Sequence, residues 1–336
     1  MACYTAKHTL MALVVLGEMM RLINWLFLMV VLCEALAMAE CSVENGRHQD
    51  MALEDLSRRR AGSLVDWQQG RGLFARNSYQ GKLKFTSVFD QDLTRNVSFL
   101  YFQAKGDGPR PLVLVLSPLG GSNPLDSWIA ENLARYGISS VVSYYRQPSE
   151  DHEMLKNTYR DTIENLQAQM TVTDWFADRE EVDPDRLGIL GISFGGIRAG
   201  FLMGLDPRLR AATLVVTGAG FADVMAESQL EAVAAIRRQQ MLTHGISDVE
   251  DYRRIFRDRQ RVTLADLLCE QRPEKFLLFL DHADQSVPST SQERLLGLLG
   301  NPEVQWTSRG HIRAAVSFGA MNVKKAVRFY ERGWLD

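Results

Sequence analysis

The sequence predicts an α/β fold: a mostly parallel sheet opened by an antiparallel hairpin, with helices on both faces and a helical insertion. Three observations predict it. After residue 110, short apolar runs of the kind buried on both faces of a sheet alternate with helix-length amphipathic segments. Before them, two alternating runs, Lys82 to Phe89 and Val97 to Ala104, flank Asp90-Gln91-Asp92-Leu93-Thr94 and read as a hairpin. A glycine-rich turn, Gly191-Ile192-Ser193-Phe194-Gly195-Gly196, lies where a strand pattern passes into a helix pattern.

The 336 residues are 46% hydrophobic and 24% charged, enough for one large core or two small ones. A formal net charge of −3 offers no general field for nucleic acid. Neither basic cluster alters that: Arg58-Arg59-Arg60 is short, and Asp251 and Asp258 interleave the Arg253 to Arg261 run, which reads as a solvated helix face.

Residues 1–39 read as a targeting segment. The uncharged run Leu22 to Cys33, between Arg21 and Glu34, is too short to span a bilayer but suits the apolar region of a signal peptide. Ala37-Met38-Ala39 supplies the small-x-small cleavage pattern. An upstream apolar patch, Met11 to Gly17, is broken by Glu18, which points to Met19 or Met20 as the start. Cleavage before Glu40 implies an exported protein with no stable membrane span in the mature chain. Acylation of Cys41 is the alternative, opposed by Glu40 where a small residue belongs. Export would leave two cysteines, Cys41 and Cys269, to which no bridge is assigned. With no CxxC or HxxxH, no metal site or cofactor is indicated.

The remaining elements follow in order. Residues 40–80 read as a linker or N-terminal extension with a peripheral helix, Ala52 to Arg60, and 81–336 as the catalytic-type domain. After the hairpin, Pro111 to Leu116 is a doubly buried strand ending in Ser117-Pro118-Leu119-Gly120-Gly121-Ser122. Leu125 to Tyr136 is a helix, Ile138 to Tyr145 a strand, and Glu153 to Ala177 a long helix with apolar spacing at Leu155, Tyr159, Ile163, Leu166 and Met170. Asp183-Pro184-Asp185-Arg186 turns the chain into the strand Leu187 to Leu190, and Ile197 to Leu205 is helical. Ala211 to Thr217, Lys275 to Leu280 and Val304 to Thr307 are further strands, and Asn322 to Arg332 closes the chain as a helix. About 221–272 interrupts the alternation with helical patterns at Met225 to Met241, Asp248 to Phe256 and Leu264 to Leu268. It reads as a cap over the sheet's C-terminal edge, where ligands bind in open α/β sheets.

A strand-to-helix turn of the form G-x-S-x-G holds a serine in a strained conformation with its hydroxyl exposed, and the glycines let strand and helix pass closely. A serine hydroxyl needs a base, and the base needs a carboxylate to fix its tautomer. Of six histidines, His8, His48, His152 and His244 lie in the targeting segment, linker, helix-opening loop and cap. His282 and His311 remain, and only His311 falls in a loop after the last strand, as Ser308-Arg309-Gly310-His311. In Asp281-His282-Ala283-Asp284, Asp284 lies out in the loop, where it can reach His311, while Asp281 suits a loop anchor accepting backbone N–H groups. Asp223 is a second choice for the acid. The oxyanion donors expected are the N–H of Phe194 and that of Leu119, or else Gly120, because Pro118 has none.

These residues resemble the α/β-hydrolase superfamily. Val182-Asp183-Pro184-Asp185-Arg186-Leu187-Gly188-Ile189-Leu190-Gly191-Ile192-Ser193-Phe194-Gly195-Gly196 is similar to the elbow region of its dienelactone-hydrolase, acetyl-xylan-esterase and prolyl-oligopeptidase-like branches, as are the Asp281-x-x-Asp284-x-x-Val287-Pro288 and Gly310-His311 loops. The resemblance covers about Lys82 to Leu335. It departs at Ser117-Pro118, where many members carry His-Gly, and in the cap. It implies a serine hydrolase with the triad Ser193, Asp284 and His311, acting on a small-molecule ester with no cofactor. A peptidase of small peptides and a non-catalytic binding protein on the same fold are the alternatives; the second expects a decayed triad, and these three residues are intact.

Overall fold

The computed structural model describes residues 46–70, 77–119, 121, 123–145, 153–268 and 271–335. The chain divides into two compact units, Met1–Arg47 and His48–Asp336. The targeting segment, Cys41, Gly120, His152 and Cys269 lie outside the described residues.

Helix α1 (46–57) precedes three antiparallel strands, β1 (Ser63–Gly70), β2 (Asn77–Thr86) and β3 (Thr94–Gln103). Next come β4 (Arg110–Leu116), α2 (Pro124–Arg135), β5 (Ser139–Tyr144), α3 (Met154–Ala177), β6 (Val182–Ile192), α4 (Phe194–Leu205) and β7 (Leu209–Val215). The insertion supplies α5 (Phe221–Glu227), α6 (Glu231–His244), α7 (Val249–Gln260) and α8 (Leu264–Leu268). The chain then runs through β8 (Phe276–Asp281), α9 (Ser289–Leu298), β9 (Glu303–Thr307), α10 (His311–Ser317) and α11 (Val323–Gly333). The nine strands of the described residues form one sheet in the order β1-β2-β3-β5-β4-β6-β7-β8-β9, antiparallel as far as the β3–β5 pair and parallel beyond it.

Strand β4 shows why a strand at the middle of this sheet can be an almost uninterrupted apolar run. Leu112, Leu114 and Leu116 join the core beneath α3 and α4, whereas Val113 and Val115 join the one beneath α2 and α11. A period of two on a sheet covered on both faces puts successive side chains into opposite cores, so both sets are apolar here. Each fully buried side chain of this size contributes about 1.5–3 kcal/mol. The hairpin is tied to this frame by polar groups of α3: buried Glu164 accepts from Ser87 Oγ at 2.5 Å and Tyr145 Oη at 3.2 Å, and Gln167 Nε2 donates to Thr86 O at 2.6 Å.

Several expectations need correction. The linker stretch contains β1, which pairs with β2 along the sheet edge. Asp183-Pro184-Asp185-Arg186 lies within β6 as an irregularity, with Arg110 opposite Val182 and Leu112 already opposite Leu187. His311 does not sit in a loop but is the first residue of α10. The arginine run is not a free solvated face, since Arg253 and Arg257 of α7 and Arg294 of α9 converge on Asp223 and Glu227 of α5. The cap also does more than cover the strand ends. Its last helix, α8, packs on α4, where Leu264 and Leu267 fill the space that a side chain at Gly200 or Gly204 would need.

Candidate active site

Ser193 joins β6 to α4 with φ 54° and ψ −121°, a left-handed conformation that a non-glycine residue holds only under constraint. The constraint is visible. Its N–H donates to Val215 O at 2.9 Å, and its carbonyl accepts from Thr217 Oγ1 at 2.7 Å. The turn is also closed to side chains: a Cβ on Gly191 would lie 2.4 Å from Gly195 O, and one on Gly195 would lie 2.1 Å from Leu116 O. The glycine pattern is thus a packing requirement.

Two parallel strands away, β8 ends in the loop carrying both aspartates. Asp284 is buried, and its Oδ2 lies 2.7 Å from His311 Nδ1. Its Oδ1 accepts the N–H groups of Ser286 and Val287 at 2.8 and 2.9 Å, and Gln292 Nε2 donates to Oδ2 at 3.2 Å. These bonds aim the carboxylate at the imidazole. Asp281 has a different set of partners, accepting from Thr307 Oγ1 at 2.6 Å and from the N–H groups of Arg309, Gly310 and Ala283 at 2.6, 3.0 and 2.9 Å. Burial alone would raise its pKa, but these donors outweigh burial and hold it below the usual carboxylate range. It anchors the histidine-bearing segment, and Gly310, at φ 80°, lets the chain turn there.

The structure therefore brings Asp284 and His311 together and sets Ser193 at the same C-terminal edge of the sheet. Ser193 Oγ makes no hydrogen bond to His311 in this conformation. Asp223 is excluded as the acid by its arginine partners. His282 stacks on Trp306, with ring centroids 4.1 Å apart. Among the described residues, no group of three or more His, Cys, Asp or Glu is placed to hold a metal ion.

Phe194 and Leu119 line one small cavity of about 30 Å³. Its other walls come from α3, from Arg198 on α4 and from Phe221 and Phe256 of the cap. The Phe194 N–H opens α4 and has no acceptor within that helix. The loop carrying Leu119 is braced by a capping box, in which Asn123 Oδ1 accepts from the N–H groups of Leu125 and Asp126, and Asp126 Oδ2 accepts from Asn123 N–H. Burial pushes Asp126 up to about 6, against the weaker lowering effects of Ser117 and Asn123. The sequence reading missed Asp126, Gln292 and Arg198. Asn-Pro-Leu-Asp, with an N-cap residue three before an acid, was the signal for the first; for the other two no local signal exists.

Residues 133–321, more than half of the chain, match the model of the prolyl oligopeptidase family. No curated protein matches the chain. Among solved structures it is similar to acetyl xylan esterase 1 from Thermoanaerobacterium sp. JW/SL YS485, at 15% identity over 86% of this chain and 94% of that one, TM-score 0.61. It is also similar to the acetyl xylan esterase from Paenibacillus sp. R4, at 16% identity over 87% and 95%, TM-score 0.63. Est1E from Butyrivibrio proteoclasticus shares 13% identity over 72% and 96%, TM-score 0.53. At such identities the likeness carries the fold alone, and that fold is the α/β-hydrolase fold.

Proposed function

The chain belongs to the prolyl oligopeptidase family, and on that premise we propose that it is a serine hydrolase, a carboxylesterase acting on short acyl esters. The observation that carries the reading is the 2.7 Å contact between His311 Nδ1 and Asp284 Oδ2, on the sheet edge that also bears the constrained Ser193.

In this mechanism Ser193 Oγ attacks the ester carbonyl as His311 Nε2 takes its proton. Asp284 holds the imidazole in the tautomer that leaves Nε2 free and stabilises the imidazolium that forms. The N–H groups of Phe194 and Leu119 receive the developing oxyanion, with Gly120 as the alternative second donor. His311 then returns the proton to the departing alcohol, and water repeats the sequence to release the acid. No cofactor enters these steps. The small cavity beside the elbow, with Phe194, Phe221, Phe256 and Leu119 on its walls, supports a short acyl group.

Labelling by a fluorophosphonate probe tests the mechanism without presupposing a substrate. Covalent modification at Ser193, abolished by Ser193→Ala, is expected; a folded protein that resists the probe overturns the proposal and leaves the non-catalytic reading. The family match favours a second reading, a serine peptidase of short peptides, which cleavage of short peptides in preference to esters would establish. The proposal includes export, with removal of residues 1–39.

A further inference from the structure

Arg198 is the one cation on the cavity wall, and the mechanism above does not use it. It stands four residues after Phe194 on α4, so the two side chains emerge from the same face of the helix. Both line the cavity, together with Leu119, Phe221 and Phe256. Arginines of the neighbouring helices do find carboxylates: Arg253, Arg257 and Arg294 share Asp223 and Glu227. Arg198 makes neither an ion pair nor a hydrogen bond among the described residues. Asp161 lies on the same wall but has contacts of its own and no ion pair with Arg198. Half-buried as it is, its partial desolvation pulls the guanidinium's pKa down to about 10.

A cation taken out of water is costly unless something pairs with it. Arg198 is half-buried among aromatic, threonine and aspartate side chains and has no partner of its own, little more than one turn into the helix that Ser193 caps. A guanidinium offers two parallel N–H donors that fit a carboxylate bidentately. We propose that Arg198 receives a carboxylate carried by the substrate, so that the preferred ester is a monoester of a short dicarboxylic acid. This rests on the ester hydrolysis proposed for Ser193. The reaction remains a simple hydrolysis: the bond between acyl carbon and alcohol oxygen breaks, water supplies the new acid oxygen, and the second carboxylate is unchanged. Its role is recognition. With Arg198 little more than one turn along α4 from Ser193, a short chain suffices to join the two functional groups, and the positive end of its path selects against neutral acyl groups of equal length.

Three measurements on the full chain test this. First, kcat/KM is compared for methyl hydrogen glutarate and methyl butyrate. The wild type should favour the hemiester, Arg198→Gln should lower the hemiester-to-butyrate ratio by about 10- to 100-fold, the range expected for losing a charge-assisted contact, and Arg198→Lys should recover part of it. An unchanged ratio in Arg198→Gln, or a wild type that favours butyrate, overturns the proposal. Second, free glutarate is titrated calorimetrically into wild type and Arg198→Gln, which reads the subsite without turnover. Binding at least tenfold weaker in the variant supports it; equal affinity, or no binding by the wild type, overturns it. If neither ester is hydrolysed the esterase reading fails, while the titration still decides the role of Arg198. A thermal melt separates recognition from a structural role: Arg198→Gln should melt no lower than wild type, and a marked fall in Tm counts against the proposal.

Discussion

Gln292 Nε2 donates to Asp284 Oδ2 at 3.2 Å while Gln292 Oε1 accepts the Asp281 N–H at 2.9 Å, so one buried amide holds both aspartates of the acid loop. The two carboxylates still diverge in partner, and that divergence can be measured. Asp284→Asn should lose about 10⁴-fold in kcat, because an amide can favour the wrong imidazole tautomer. Asp281→Asn should chiefly destabilise. Since Asp281 has its pKa depressed on folding, its contribution is present above the ordinary carboxylate pKa of about 3.9 and is lost as pH falls through the depressed value. Denaturant midpoints between pH 7 and pH 3 should therefore converge for wild type and Asp281→Asn in acid; the opposite assignment of activity and stability effects would show that the pair has been read backwards.

Ser193 is held at φ 54°, a conformation that costs on the order of 1–3 kcal/mol for a residue with a side chain. Ser193→Ala should abolish ester hydrolysis, by about 10⁴-fold or more, and leave the fold intact. Ser193→Gly should be equally inactive yet more stable than Ser193→Ala, with a higher denaturant midpoint. Near wild-type turnover in either variant would end the mechanism.

Acyl chain length gives a third expectation. The cavity of about 30 Å³ has little room to lengthen into. Each further methylene contributes about 0.8 kcal/mol only where it can be buried. Activity on p-nitrophenyl esters should peak between acetate and butyrate and fall by octanoate, and a profile still rising at decanoate would mean that the cap swings clear of the site.

Asp126 titrates in the opposite sense to Asp281. Its pKa is raised on folding to about 6, so its stabilising effect is complete below the unfolded value near 4 and is lost as pH climbs through 6. Asp126→Asn should therefore gain on wild type between pH 5 and 8, by on the order of 2–3 kcal/mol at the upper end for a shift of about two units. Urea midpoints across that range supply the check; parallel curves for the two proteins would contradict it.

For export, N-terminal sequencing of secreted material should begin at Glu40. A retained apolar segment, or lipid on Cys41, would refute cleavage at that point.

The elbow was legible because its requirements are local: a strand, two glycines that must lack a Cβ, a serine and a helix all fall within one short string. The acid loop was legible for a related reason, since the choice between Asp281 and Asp284 depends on reach from the strand end. Strand β1 was not, because its side chains are mostly exposed and follow no clean alternation. Its anchor is Trp67, stacked on Tyr79 at 4.7 Å and covered by Arg179 at 5.0 Å, contacts made across the sheet and from the end of α3. Helix α10 was missed because it is only seven residues long and starts at the residue the chemistry singled out. Arg198 was invisible for a different reason. It is the sole charged residue of the otherwise apolar α4, but the sequence does not show that nothing pairs with it.

Helix α11 reaches back to the elbow strand: Tyr330 Oη donates to Ile189 O at 2.6 Å, its ring fills the place a side chain at Gly188 would take, and Trp334 Nε1 donates to Leu187 O at 3.2 Å. The strand that leads into Ser193 is thus completed by residues some 141 positions further along. During synthesis Ser193 leaves the ribosome long before Tyr330 exists, so the nascent chain carries an elbow whose support is still missing. On the proposed mechanism, hydrolysis then waits for α11, and fragments cut short of that helix should be inert.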